Sequence, residues 1–196
     1  MTTGGALSLV LQQARACRVC EQHLPEGPRP ILVASETARI VIIGHAPGRR
    51  VHESGVPWDD PSGVRLREWL GLGEEQFYDP AVVAIVPMGF CYPGTGSSGD
   101  LPPRPECAPL WHERVLQHLP EERLTVIIGA HAMARYVESP ARTLTAEVAR
   151  WADQLPSRIV MPHPSPRNNR WLAKNRWFET DVVPAIRRRV EQVIAG

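Results

Sequence analysis

Residues 39–48, Arg-Ile-Val-Ile-Ile-Gly-His-Ala-Pro-Gly, decide the fold class. The first half is an unbroken apolar run of β-branched residues, and the second half is a turn rich in glycine and proline. Such runs are typical of strands buried on both faces, as in a parallel sheet covered by helices. Similar runs occur at residues 82–86, 124–129 and, more weakly, 158–161. The sequence therefore predicts four strands.

Helical stretches lie between and after these runs. Residues 61–70 and 105–119 each stop at a glycine or proline, and residues 171–194 form a long closing segment that Pro184 should kink or split. Strand, crossover helix and strand in repetition predict an α/β fold. We expect a three-layer α/β/α sandwich with a central, mainly parallel four-stranded sheet, as a single domain over residues 1–196.

Composition limits the classes of protein to which the chain could belong. The hydrophobic fraction of 43% suits a globular chain, and a net charge of +1 neither demands nor excludes a polyanionic partner. The N-terminus has no basic leader region, and no stretch is apolar enough to span a membrane. We therefore expect a cytoplasmic protein without a membrane partner, and a monomer.

Lysine occurs once, as Lys174 in Ala-Lys-Asn. A phosphate-binding P-loop needs Gly-Lys-Ser/Thr, so Walker-type nucleotide hydrolysis is excluded. Lys174 falls within a predicted helix, which disfavours chemistry that runs through a lysine Schiff base. Water is therefore the expected nucleophile in any hydrolysis.

Each predicted strand opens into a loop of unusual composition. These loops are residues 44–48, 87–91, 129–131 and 162–167, and they contain histidine, glycine and proline. In open α/β sheets, ligands bind beyond the carboxyl ends of the strands. Four such loops converging on one edge of the sheet predict a functional site there.

The four cysteines form a second constellation. Cys17 and Cys20 make a CxxC pair, whereas Cys91 and Cys107 flank a loop of fifteen residues rich in proline and glycine. Outside an oxidising compartment, four cysteines with this spacing indicate soft-metal ligation and not disulfides. A zinc ribbon usually shows a second close pair. The set therefore favours a [4Fe–4S] cluster, with zinc as the alternative.

The motifs occur in an order that resembles the uracil-DNA glycosylase superfamily. They are residues 44–48, Gly-Val-Pro-Trp at 55–58, the cysteine spacing, and His-Pro-Ser at 163–165. The chain is most similar to the iron–sulfur branch, family four, which has a CxxC, a GExPG motif, Gly-x-Pro-Phe, a later cysteine pair and a late His-Pro. The resemblance runs from Cys17 to about Asn168.

The resemblance implies roles for individual residues. The loop containing Gly44, Ala46 and Gly48 would surround the base and the water, Trp58 would stack on the flipped base, and His163 would hydrogen-bond it. Extrusion onto an aromatic face is what an enzyme acting on a base in duplex DNA requires. The segment after His163 corresponds to the one that enters the minor groove, and its candidates for contact with DNA are Ser165, Arg167 and Arg170.

Two departures from the branch concern the chemistry. The acidic residue of GExPG is His45, and the acidic pair that follows falls on Val51 and His52, with Glu53 one position out of register. Because His52 beside Glu53 resembles an oriented base, His45, His52 and Glu53 are catalytic candidates. The asparagine that reads uracil is replaced by Pro87, and losing such a donor costs ~1–3 kcal/mol of discrimination.

The sequence thus predicts a monofunctional glycosylase of base-excision repair, hydrolysing the N-glycosidic bond of uracil or another deaminated base in DNA. Two alternatives remain open. One is a non-catalytic member that binds damaged DNA, favoured by His45 and Pro87. The other is a hydrolase of free nucleosides or nucleotides, against which Arg167 and Arg170 argue.

Overall fold

The predicted strands build the central sheet. In the computed structural model of the protein, residues 5–97 and 99–196 are described. In chain order the strands are β1 (Ile40–Ile43), β2 (Val83–Ile85), β3 (Thr95–Gly96), β4 (Gly99–Asp100), β5 (Leu124–Ile128) and β6 (Arg158–Met161). Four of them form one parallel sheet in the order β2-β1-β5-β6, which confirms the predicted sheet. Strands β3 and β4 form a separate antiparallel ladder.

The register of the sheet places the ends of its strands side by side. Ile42 of β1 pairs with Ile85 of β2 and with Val126 of β5, and Ile128 pairs with Met161 of β6. Every residue of β1 is fully buried, as the unbroken apolar run predicted. The loops that leave β1, β2, β5 and β6 therefore start at one edge of the sheet.

Helices flank the sheet. The α-helices in chain order are α1 (Ala6–Arg15), α2 (Arg49–Ser54), α3 (Pro61–Leu70), α4 (Glu74–Tyr78), α5 (Cys107–Leu116), α6 (Gly129–Tyr136), α7 (Leu144–Ala149), α8 (Trp151–Gln154), α9 (Asn169–Lys174) and α10 (Val183–Ala195). The crossovers from β1 to β2 and from β5 to β6 run in opposite directions along the sheet. Because crossovers between parallel strands are almost always right-handed, their helices cover opposite faces. The predicted α/β/α layering follows. Among the described residues, no helix is long and apolar enough to cross a membrane.

Helix α3 has the predicted bounds because both of its ends are capped. The Asp60 side chain accepts a hydrogen bond of 2.8 Å from the Gly63 backbone N–H, and Pro61 occupies the first turn. At the other end Gly71 adopts φ 70°, the left-handed conformation that glycine allows without strain. Helix α5 is shorter than the predicted residues 105–119. Its last residues continue as i→i−3 turns, from His118 N–H to the Val115 carbonyl for example.

The closing segment is not one helix. Helix α9 ends at Asn175, whose side chain donates a hydrogen bond of 2.9 Å to the Trp171 carbonyl. A π-helix, Phe178–Val182, then leads directly into α10. Pro184 lies in the first turn of α10, where its missing N–H is tolerated. The predicted split at Pro184 is therefore absent, because the π-helical turn runs into α10 without a break, and the closing segment is interrupted at Asn175 instead.

Candidate active site and cysteine site

A cavity of about 540 Å³ lies at the carboxyl ends of β1, β2 and β6. Such a volume suits a small organic ligand. Residues from three of the four predicted loops and from the segment around Trp58 line it. They are Ile31, Gly44, His45, Ala46, Pro47, Gly48, Val51, Pro57, Trp58, Asp60, Ser62, Ile85, Pro87, Asp100, His163, Ser165, Pro166, Arg167 and Asn168. The loop after β5 is not among the lining residues, and its His131 lies against His45 instead.

The loops after β1 and β2 are joined by backbone hydrogen bonds. Met88 N–H donates to the Gly44 carbonyl at 2.9 Å, and Gly89 N–H donates to the His45 carbonyl at 3.0 Å. A Cβ added at Gly89 would meet the Ala46 Cβ at 3.4 Å, so the two loops are in van der Waals contact. Each loop therefore fixes the backbone of the other at the wall of the cavity.

Trp58 is held in an unusual conformation. Its φ of 59° lies in the left-handed region, which is a strained choice for a bulky residue. The indole abuts Gly44, where an added Cβ would lie 2.9 Å from Trp58 Cζ2. The centroid of the Trp58 ring lies 5.5 Å from that of His163, with 34° between the ring planes. The two predicted base-contacting side chains are thus brought together.

His163 follows β6 and belongs to its loop. Burial lowers the pKa of His163 below its ordinary value, against the opposing charges of Asp60 and Asp100. The neutral ring accepts a hydrogen bond of 3.2 Å at Nδ1 from Ser165 N–H. A neutral imidazole that accepts at Nδ1 carries its proton on Nε2. His163 is therefore a neutral donor through Nε2.

The loop that carries His163 is fixed from outside by two side chains. Arg65 on α3 donates to the carbonyls of Pro164, at 3.2 Å, and of Ser165, at 3.4 Å. Asn168 Nδ2 donates to the His163 carbonyl at 2.7 Å. The position of the His163 ring thus depends on contacts that the sequence motif alone did not reveal.

His45 lies against His131 at the point where the direction of the crossovers reverses. The ring centroids are 5.2 Å apart with a near-perpendicular arrangement of the planes. Burial, together with the charges of His131 and His163, lowers the pKa of His45 to about 4. His45 is therefore neutral at physiological pH.

His52 and Glu53 lie on α2 and are not among the residues that line the cavity. The His52 ring packs at 5.9 Å from the Tyr92 ring, and its buried Nδ1 has no hydrogen-bond partner among the described residues. Arg29 donates to the backbone carbonyls of both residues and so caps the end of α2. Their predicted role in positioning water stays a prediction.

Pro87 is held by a buried polar chain that the sequence did not suggest. Its carbonyl accepts a hydrogen bond of 2.9 Å from Nε2 of His112, and Nδ1 of His112 in turn bonds the Tyr136 hydroxyl. His112 is buried on α5 and also stacks against Phe90. With its carbonyl engaged by His112, Pro87 presents an apolar ring to the cavity.

The three candidates for contact with DNA divide into two groups. Ser165 and Arg167 line the cavity, whereas Arg170 is exposed on α9 and does not line it. Arg167 is exposed, and its guanidinium lies against Gly99 of β4, where an added Cβ would be 2.2 Å from Nη1. Arg167 therefore bridges the mouth of the cavity.

Two carboxylates in the cavity were missed by the sequence reasoning. Asp60 could have been found as a helix N-cap before Pro61, although not as a cavity residue. Asp100 lies in β4, inside the glycine- and proline-rich loop between Cys91 and Cys107. That loop has no periodicity from which the direction of a side chain could be predicted.

The four cysteines line one cavity, and the shared metal ligand that the sequence suggested stays a prediction. Burial, together with the neighbouring cysteine sulfurs, raises the pKa of Cys91 to about 11 and that of Cys107 to about 12. Cys107 Sγ accepts a hydrogen bond of 3.3 Å from Phe90 N–H. The thiols are therefore close enough to interact electrostatically.

Within residues 5–97 and 99–196, no three His, Cys, Asp or Glu side chains are grouped so as to hold a single metal ion. Trp111 of α5 is one of the residues that line the cysteine cavity. Trp111 is 6% exposed, and its buried Nε1–H has no hydrogen-bond partner in the described part of the chain.

Comparison with known families gives one finding. The family model described as the uracil DNA glycosylase superfamily matches residues 32–187, which is well over half of the chain. The matched region contains the whole parallel sheet, the cavity residues from Gly44 to Asn168, and the cysteines Cys91 and Cys107. Cys17 and Cys20 lie outside it.

Proposed function

Because the chain belongs to the uracil DNA glycosylase superfamily, we propose that it is a monofunctional DNA glycosylase. It hydrolyses the N-glycosidic bond of uracil or another deaminated base, and it belongs to the iron–sulfur branch of the superfamily. Its partner is DNA that contains such a base. The observation that carries the proposal is the pairing of Trp58 with a neutral His163 in one cavity beyond the parallel sheet.

Trp58 provides the aromatic face that an extruded base needs. A base inside a duplex cannot reach a cavity, so it must leave the stack, and an aromatic face replaces the stacking that it loses. Trp58 supplies such a face, and the close approach of its indole to Gly44 fixes where the base lies. The centroid separation of 5.5 Å leaves no room for a base between the Trp58 and His163 rings, so the base stacks on one of them and meets the other at its edge.

His163 stabilises the departing base. When the bond from C1′ to the base nitrogen breaks, its electron pair leaves with the base, and the sugar becomes an oxocarbenium-like cation. A donor placed where negative charge develops lowers the barrier. The neutral His163 ring donates through Nε2, since its Nδ1 accepts from Ser165. Burial disfavours the charged form of the ring, so His163 donates its hydrogen bond as a neutral imidazole.

Base selectivity depends on Pro87 and His45. Pro87 offers no donor to a base edge because it has neither a backbone N–H nor a polar side chain, and its carbonyl already accepts from His112. The neutral His45 ring is the polar group that the loop after β1 adds to the cavity. A base is therefore read by the two histidines, His45 and His163, and not by an asparagine.

The cysteines hold a [4Fe–4S] cluster. The observation that supports this proposal is that Cys17, Cys20, Cys91 and Cys107 line one cavity. Zinc, the alternative, needs its thiolates at about 2.3 Å from one point. In a cubane cluster each cysteine binds its own iron, so the thiolates need not converge. Once bound, the cluster ties the N-terminal segment of Cys17 and Cys20 to the loop between Cys91 and Cys107.

The test is excision from a panel of oligonucleotides that each carry one deaminated base, followed by alkali cleavage at the resulting abasic site. We expect wild-type product with at least one base and no product trapped by borohydride. His163→Ala should lose most of the rate, whereas the exposed His23→Ala is the matched control and should keep it. Intact DNA across the panel would refute the proposal. Selective binding without cleavage would then favour a damage-binding protein, and release of base from free nucleosides would favour a nucleoside hydrolase.

A further inference from the structure

The proposed hydrolysis needs a group that positions and deprotonates water, and the cavity offers few. Of the described residues that line it, those with a carboxylate are Asp60 and Asp100. Both act electrostatically on His163, so both lie within range of the site of bond cleavage. His52 and Glu53 do not line the cavity.

Asp60 already has a structural task. Its Oδ1 accepts the Gly63 N–H at 2.8 Å and caps the first turn of α3. A carboxylate that caps a helix is held by that bond and is turned towards the backbone. Asp60 is also partly buried, beside the bulk of Trp58. These features suit the support of the Trp58 segment better than proton transfer.

Asp100 is placed differently. Its Oδ2 lies close to the last glycine of the loop after β1, since a Cβ added at Gly48 would be 3.3 Å away. Among residues 5–97 and 99–196, the one hydrogen bond that its Oδ1 accepts is long, at 3.5 Å, and comes from Thr95 across the β3–β4 ladder. The residue is exposed at the mouth, and its neighbour Gly99 touches the Arg167 guanidinium. An uncommitted carboxylate thus faces the loop that surrounds the base.

We propose that Asp100 is the catalytic carboxylate, which positions the attacking water and accepts its proton; this rests on the proposed glycosylase function. The bond from C1′ to the base nitrogen breaks and its electron pair leaves with the base. Water oxygen forms the new bond to C1′, and one water proton passes to the Asp100 carboxylate. That proton is released to the departing base through solvent. The products are the free base and an abasic sugar, so atoms and charge balance.

The proposal also explains why the carboxylate lies between two cysteines. Cys91 and Cys107 bracket the loop that contains the β3–β4 ladder. Just before Cys91, the Gly89 N–H donates to the His45 carbonyl and the Phe90 N–H donates to Cys107 Sγ. The position of Asp100 against Gly48 therefore depends on the same loop that the cysteines anchor.

The experiment is single-turnover excision by Asp100→Asn, Asp100→Glu and Asp60→Asn, on a base that the wild type removes. General acid–base groups contribute about 10²- to 10⁴-fold. Asp100→Asn should lose a factor in that range while binding the same DNA with unchanged affinity, and Asp100→Glu should recover part of the rate. The exposed Asp153→Asn on α8 removes the same charge far from the cavity and should keep the wild-type rate.

Several outcomes would overturn the assignment. An Asp100→Asn rate within about threefold of the wild type refutes it, as does an equal or larger loss in Asp60→Asn, His52→Ala or Glu53→Gln. A lower melting temperature of Asp100→Asn together with weaker DNA binding would show a structural role instead. If the wild type excises no base, the proposed function itself fails, and the role of Asp100 fails with it.

Discussion

The buried histidine of α5 makes the stability of the protein depend on pH in a calculable way. His112 is 1% exposed, and burial lowers its pKa to about 4 from an ordinary value of 6.5, with a smaller lowering from Arg135 and an opposing effect of the Pro87 carbonyl. In the unfolded chain the same ring is solvated and binds a proton more readily. Between these two pKa values the unfolded state holds more protons than the folded state.

The sign of the effect follows from that difference. Stability rises with pH wherever the unfolded state binds more protons, so it falls as pH drops from about 6.5 to about 4 and changes no further below. The shift of His112 corresponds to about 3 kcal/mol over the whole window. Between about pH 7 and pH 5 its share is roughly 2 kcal/mol, since most of the unfolded-state titration falls there.

The assay is urea unfolding at these two pH values for the wild type and for His112→Gln. Glutamine keeps a donor for Pro87 and an acceptor for Tyr136 but does not titrate. The wild type should lose roughly 2 kcal/mol more between the two pH values than the variant does. His45 titrates in the same direction in both proteins and cancels. The exposed His23→Gln should keep the wild-type difference.

The reasoning is refuted if the wild type and His112→Gln lose the same free energy on acidification at equal m-values. It is also refuted if the variant loses more, since the ring would then be stabilised in its protonated form. The visible absorbance of the proposed cluster, followed in the same samples, would separate acid loss of that cluster from titration of His112. A difference that appears only after the absorbance is lost counts against the calculation.

Three further predictions concern the two sites. Cys17→Ser should lower bound iron and the melting temperature, because it removes one anchor of the proposed cluster; full iron content and stability would contradict it. Trp58→Ala should weaken binding to DNA with a deaminated base by ~1–3 kcal/mol relative to undamaged DNA, and equal affinities for both DNAs would count against the stacking role. Excision should persist as pH falls through about 6.5, because burial lowers the pKa of His163 and no exposed histidine is required. A decline there that His52→Ala abolishes would instead identify His52 as the base.

The sequence predicted those features that depend on local physics. The β-branched run of β1 and the capped helix α3 carry their own signals, in unbroken apolar residues and in Asp60, Pro61 and Gly71. Convergence of the loops followed from parallel strands, because their carboxyl ends must share one edge. The ends of α5 were less certain, since i→i−3 turns extend a helix without a sequence marker.

What the sequence could not predict was set by contacts between distant segments. The chain from Tyr136 through His112 to Pro87 joins residues from α6, α5 and the loop after β2. Asp100 reaches the cavity only because its loop is folded back towards Gly48. Neither position shows periodicity, and the side-chain directions arise from tertiary packing.

Two positions near Trp58 must be glycine because Trp58 leaves no room for a Cβ at either of them. A Cβ at Gly63 would lie 1.8 Å from the Trp58 carbonyl oxygen, and one at Gly44 would lie 2.9 Å from its indole. Trp58 itself adopts φ 59°, and such strain costs of the order of 1–3 kcal/mol. The first turn of α3 and the end of β1 therefore hold the indole against its own preference. A residue kept in a strained conformation by two glycines from separate elements is typical of a site where position matters more than stability, and it is this indole that lies beside His163.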